Sequence, residues 1–140
     1  MRLLIATPGA VTVDQADVAA VRAEDETGQF GVWPHHADFV TVLEPSVVAW
    51  RLADGRQGFC AVRGGVLTVA GGQQVSVATP EAVAGDDLAT LETLVRSRIA
   101  SEAEADRRAR RRTEELRIRA LRQVIGYLRP EAAGAERRRH

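Results

Sequence analysis

The 140-residue chain is 45% hydrophobic and only 4% aromatic, so it can bury a core and that core is mostly aliphatic. Its formal charge is zero, yet residues 1–84 hold five arginines against nine acids and residues 85–140 fourteen against ten, which points to two modules with different surfaces. No stretch approaches the roughly 18 apolar residues that span a bilayer, and the single cysteine, Cys60, rules out an internal disulfide.

The first apolar run, residues 3–7, reads as a strand ending at Pro8-Gly9, too short for a secretory leader. Val11 and Val13 resume the alternation, and Val18 to Ala23 gives another strand. Three acids, Glu24-Asp25-Glu26, precede the stretch Gly28 to Ala37, where two glycines and Pro34 impose a short strand that breaks into a shaped loop. Phe39 to Leu43 is extended and is expected to stop at Pro45. Val48, Trp50 and Leu52 then alternate with smaller or charged residues as a half-buried strand. Asp54-Gly55 and Gly71-Gly72 are hairpin signals, and Gly64-Gly65 is expected to break the run between Gln57 and Ala70. Gln74 to Thr79 closes the set. Short strands with turn signals every 8–12 residues or so predict an antiparallel β-sandwich over residues 1–84.

After Gly85 the period changes. Asp86-Asp87 is an N-cap signal, and Leu88, Leu91, Leu94, Val95 and Ile99 recur at helical spacing. Ser101-x-x-Glu104 has the pattern of a capping box and predicts a second helix. That helix carries Leu116, Ala120, Leu121, Val124, Ile125 and Leu128, and Pro130 is expected to end it. The pair reads as an antiparallel two-helix hairpin over residues 85–130, with one continuous helix as the alternative and a frayed, disordered polar tail at 131–140.

Three constellations offer chemistry. Cys60 lies in the apolar run Phe59-Cys60-Ala61-Val62 and reads as a buried, inert thiol. His35, His36 and Asp38 are the residue types of a small metal-dependent enzyme. Adjacent histidines in an extended segment point opposite ways, however, and a metal needs three or four convergent ligands. The loudest charge feature is the run of Arg107, Arg108, Arg110, Arg111 and Arg112, followed by Arg117, Arg119 and Arg122. It reads as a solvated helix face paired with nearby glutamates, as a docking face for an acidic protein surface, or as an adaptor for nucleic acid. Against nucleic acid stand the neutral chain and the absence of interleaved base-reading residues.

The spacing Gly28-x-x-Gly31-x-x-Pro34-x-His36-Ala37 resembles the loop signature of the epsilon subunit of bacterial F-type ATP synthases, and Arg63-Gly64-Gly65-Val66-Leu67-Thr68-Val69 resembles that family's Gly-Gly strand. The likeness runs over about residues 3–128. It implies a non-catalytic rotor subunit of the central stalk, with no cofactor and with the gamma subunit, the c-subunit ring and a catalytic beta subunit as partners. Gly28, Gln29, Phe30, Gly31, Pro34 and His36 would meet the ring. Arg107, Arg108, Arg111, Arg112 and Arg122 would form a regulatory arm that inhibits ATP hydrolysis. The resemblance also implies a peripheral position on the cytoplasmic face of the bacterial inner membrane, reached only through the ring. Three departures stand out. Gln29 replaces a common acid, Asp38 replaces a common proline, and Asp86 to Leu91 lacks the Arg-Ala of members that bind ATP there. Such departures fit a variant complex, whose coupling ion, H⁺ or Na⁺, is set by another subunit.

Overall fold

A computed structural model describes residues 1–139, with side chains through Gly126. Its strands are β1 (Arg2–Thr7), β2 (Ala10–Gln15), β3 (Val18–Asp25), β4 (Gly28–Val32), β5 (Phe39–Leu52), β6 (Gln57–Ala70), β7 (Gln74–Ala78) and β8 (Ala82–Gly85), followed by one helix, α1 (Leu88–Arg139). The chain divides into two compact units, Met1–Ile99 and Ala100–His140.

Hydrogen bonding runs in the order β2-β1-β7-β6-β5-β3-β4, with β8 added on β6. All neighbours are antiparallel except β1 and β7, which are parallel. The two central strands are 14 residues each and serve both layers of the sandwich. The first half of β5 pairs with the second half of β6 from Phe39↔Val69 to Leu43↔Gly65, and the second half pairs with the first from Pro45↔Arg63 to Arg51↔Gln57. On its edge away from β5, β6 pairs with β8 before the bend, over Phe59–Val62, and with β7 after it, over Val66–Ala70. The ends of the path fold over each other, so that β2 meets β8 and β1 meets β3.

Pro45 therefore does not end a strand, and Gly64-Gly65 does not break one. Both sit where two continuous strands turn the corner of the sandwich. A proline is tolerated at such a bend because the ladder is already irregular there. Gly65 has φ +122°, and a Cβ on it would lie 2.2 Å from the carbonyl oxygen of Ala78 on β7. Only a residue without a side chain lets β6 turn this close to its neighbour.

Strand alternation places Leu3, Ile5, Val18, Val21, Val48, Leu67, Val75 and Val77 in one aliphatic core. Cys60 is fully buried within it, and burial pushes its thiol up to about 11. The expectation of an inert cysteine is met. β8 had no clear signal, because a four-residue strand leaves too short a pattern to read.

The predicted hairpin is replaced by a single helix. Asp87 caps it as expected, its carboxylate accepting the Ala89 N–H at 3.2 Å and the Thr90 hydroxyl. Ser101 starts nothing, because the carboxylate that would complete a capping box is engaged elsewhere. Glu104 pairs forward along the helix with Arg107 at 3.1 Å, Arg108 at 3.5 Å and Arg111 at 3.4 Å. No glycine or proline interrupts residues 88–125, so a continuous helix meets no local resistance. The backbone stays helical past Pro130 to Arg139, where a frayed tail was expected.

Gly65→Ala should lower the unfolding free energy by about 3 kcal/mol, since it combines a strained φ with a backbone clash. Gly9→Ala, with nothing within 4 Å of the added carbon, should be close to neutral. Urea denaturation of the two variants checks the contrast.

Candidate interaction surfaces

The signature stretch divides between a strand and a loop. Gly28, Gln29, Phe30 and Gly31 lie on β4, paired with β3 from Asp25↔Gly28 to Val21↔Val32. The turn before them is held by Asp25, which is 9% exposed. Its carboxylate accepts the Thr27 hydroxyl and N–H, and at 2.8 Å the Thr41 hydroxyl from β5. These donors favour the charged form, led by the Thr27 hydroxyl and then Thr41, and hold the Asp25 carboxyl below its ordinary value of 3.8. Of the three acids before the loop, this one shapes it.

The loop itself is a tight turn. The His36 N–H donates to the Trp33 carbonyl at 3.2 Å, with Pro34 second in the turn and His35 third at φ +67°. Proline followed by a left-handed residue is the pattern of a type II turn, where glycine is usual in the third place. The turn docks on the β6–β7 hairpin. The His35 N–H donates to the Gly72 carbonyl at 2.7 Å, and the Gly71 N–H donates to Asp38 Oδ1 at 2.9 Å.

The side chains then separate by role. Phe30 packs against the core and meets Phe39 edge to face, with centroids 5.7 Å apart. His36 leans on the same Phe39 ring at 6.0 Å, and its Nδ1–H donates to the Ala37 carbonyl at 2.7 Å. Phe30 and His36 thus support the loop from inside. Trp33 is 56% exposed and folds back over Gly31, where a Cβ would strike the indole at 2.6 Å. Gln29 is exposed on the outward side of β4, on the wall of a groove of about 610 Å³ that also includes Val47, Phe59, Leu88, Val95 and Ile99. Gln29 thus lines this groove from β4, whereas His36 lies in the loop against Phe39.

The metal reading fails on geometry. Asp38 is committed to Gly71, and the His36 ring to Ala37 and Phe39. Among the described residues no three His, Cys, Asp or Glu side chains are grouped to hold an ion.

Two further surfaces stand out. On the outward face of β5 and β6, Val40 and Val42 are about two-thirds exposed, and Val66 lies directly across from Val42. On the helical unit, Leu116, Ile118, Leu121, Val124 and Ile125 are all exposed. Its arginines differ in their engagement. Arg107, Arg108 and Arg111 share Glu104, whereas Arg112 and Arg122 have no carboxylate within 4 Å among the described residues. Exposed pairs such as these contribute little to stability, so the arginines remain open to a partner.

A β-sandwich with adhesive faces, a pinned loop and a charged helix has the form of an interaction subunit. A family profile described as "ATP synthase, Delta/Epsilon chain, beta-sandwich domain" matches residues 1–85. "ATP synthase epsilon chain 2" of Paraburkholderia xenovorans is 42% identical over 96% of this chain and 97% of its own length. The protein of the same name from Cereibacter sphaeroides is 40% identical over 97% of this chain and 92% of its own. Among solved structures, a chain of the Euglena gracilis mitochondrial ATP synthase (OSCP/F1/c-ring) superposes with a TM-score of 0.55 and 26% identity. That match covers 59% of this chain and 51% of the other. A chain of the Tetrahymena thermophila central stalk/c-ring shares the fold at a TM-score of 0.51, over 59% of this chain and 64% of the other, with 13% identity. The chain belongs to the epsilon chain family of ATP synthase. It is a structural and regulatory subunit of that membrane-associated complex, not the catalytic one.

The pKa of Asp25 is lowered on folding, so its contribution to stability is full above pH 3.8 and is lost as pH falls through its folded value. Asp25→Asn should therefore lower the melting temperature at pH 7, and the gap to the native chain should narrow as pH falls below 3.8. Thermal unfolding across that range checks it.

Proposed function

We propose that the chain is a rotor subunit of the central stalk that couples rotation of the c-subunit ring to ATP synthesis. The sandwich adheres to the gamma subunit through the outward face of β5 and β6. The end that carries the Trp33–Asp38 loop rests on the polar loops of the ring. The helix is the regulatory arm, and its arginines meet an acidic surface on a catalytic beta subunit to restrain ATP hydrolysis. The complex then holds the chain at the cytoplasmic face of the bacterial membrane through the ring. No helix among the described residues is long and apolar enough to cross a membrane.

The observation that carries the stalk assignment is the exposed valine face. Val40, Val42 and Val66 form a flat apolar strip on two central strands, and apolar area open to water on a rigid sheet marks a protein contact. The likeness to a chain of the Euglena assembly, which includes F1 and a c-ring, supports the same placement. For the arm, the support is charge. The basic half of the chain lies in the helix, and arginine makes bidentate contacts with carboxylates.

Paired Val42→Glu and Val66→Glu substitutions should leave the isolated chain folded and abolish its copurification with gamma. Retained copurification would place the stalk contact on another face. Truncation after Ile99 keeps the first unit whole, so it should preserve assembly and raise ATP hydrolysis several-fold, with a smaller effect at high salt, where screening already weakens the arm. An unchanged hydrolysis rate would remove the regulatory role and leave the rotor role standing.

A further inference from the structure

We infer that Asp38 and the Gly71–Gly72 turn are positioning elements that pin the Trp33–Asp38 loop, so that loop and turn present one rigid edge to the partner. The inference rests on the rotor reading for what the edge touches, but its geometry stands apart from that reading.

The pin has two hydrogen bonds of opposite direction. The loop donates through the His35 N–H to the Gly72 carbonyl at 2.7 Å. The turn donates through the Gly71 N–H to Asp38 Oδ1 at 2.9 Å, across 33 residues of sequence. Between them the two backbones are in van der Waals contact, since a Cβ on Gly72 would lie 2.7 Å from His35 Cα. Gly71 and Gly72 both hold left-handed angles, φ +62° and +67°, which orient the Gly71 N–H and Gly72 carbonyl for this exchange. The turn is fixed from behind as well, because the Arg2 N–H donates to the Gln73 carbonyl at 2.8 Å. Any force on the loop is thus passed to the β6–β7 hairpin and to β1, on the opposite layer from β3 and β4.

Asp38 is the one side chain in this pin. It follows a loop whose third residue, His35, sits at φ +67° without being glycine, a conformation that surrounding contacts must maintain. Phe39 anchors the loop's exit from one side through Phe30 and His36. Asp38 anchors it from the other. A side chain without an acceptor at position 38 leaves the loop attached through a single bond.

The test uses Asp38→Ala and Asp38→Asn in the full chain, Asn retaining an Oδ1 acceptor. In the isolated protein, Asp38→Ala should speed amide exchange at His35 and Gly71 about fivefold, the change expected for one net hydrogen bond, with the melting temperature within a few degrees of the native value. Asp38→Asn should restore native exchange, and Gly72→Ala should speed exchange more than Asp38→Ala does. In the reconstituted ATP synthase, Asp38→Ala should lower ions pumped per ATP hydrolysed, and Asp38→Asn should recover it. Unchanged exchange in Asp38→Ala overturns the pin. Faster exchange with unchanged pumping overturns its service to the contact. A cysteine at Trp33 that never crosslinks to the c-subunit loop in the native background sinks the rotor reading of this edge, and the exchange result still decides the pin.

Discussion

Everything in the first unit depends on the corner where β5 and β6 bend together. Leu43 pairs with Gly65 on one side of it and Pro45 with Arg63 on the other, so the same two strands supply the middle of both layers. Close approach of Gly65 to the Ala78 carbonyl lets β7 stay bonded to β6 right up to the bend. Without that corner the sheet has no reason to fold over itself, and the core around Ile5, Val48 and Leu67 has no second wall. A rotor part gains from this arrangement. A sandwich whose layers share continuous strands resists shear better than two sheets joined only by loops, because sliding the layers would break the ladder itself.

What was legible in the sequence was local. Alternation identified β1, β2, β3, β7 and the separate halves of β5 and β6, Asp54-Gly55 and Gly71-Gly72 marked hairpins, and Asp87 marked the start of the helix. What misled was punctuation whose meaning depends on tertiary context. Pro45 reads as a strand end in a short window. In the fold it is an internal bend, because the partner strand places its own irregularity, Gly64-Gly65, just past Arg63, the residue opposite Pro45. Ser101-x-x-Glu104 reads as a helix start, yet a carboxylate surrounded by Arg107, Arg108 and Arg111 has stronger partners than a backbone N–H three residues back.

The loop shows the same division. Gly31 and Pro34 announce a shaped turn, and the structure gives that turn a reason in the indole of Trp33 lying over Gly31. The histidines and Asp38 attract attention as ligands because residue type is all that sequence offers. Their true partners, Ala37, Phe39, Gly71 and Gly72, include two glycines whose backbone groups carry no chemical signature. A side chain that bonds backbone 33 residues away is invisible to any pattern of spacing. Asp25 was hidden for a similar reason, since nothing distinguishes it from Glu24 and Glu26 until Thr27 and Thr41 close on it.

The two units divide the labour in physical terms. The sandwich is stiff, with an aliphatic core and exposed valines that add adhesion without mobile charged chains. The helical unit has the opposite character. Its arginines are exposed, its apolar residues from Leu116 to Ile125 face water, and its ion pairs run along the helix. A helix that leaves five large apolar side chains in water is held by local propensity alone over that stretch, and its apolar face gains most when a partner covers it. Adhesion in one unit and an uncovered, charged helix in the other are what a regulatory stalk subunit requires. On the proposed function, the first must keep hold through every rotation, and the second must be able to let go.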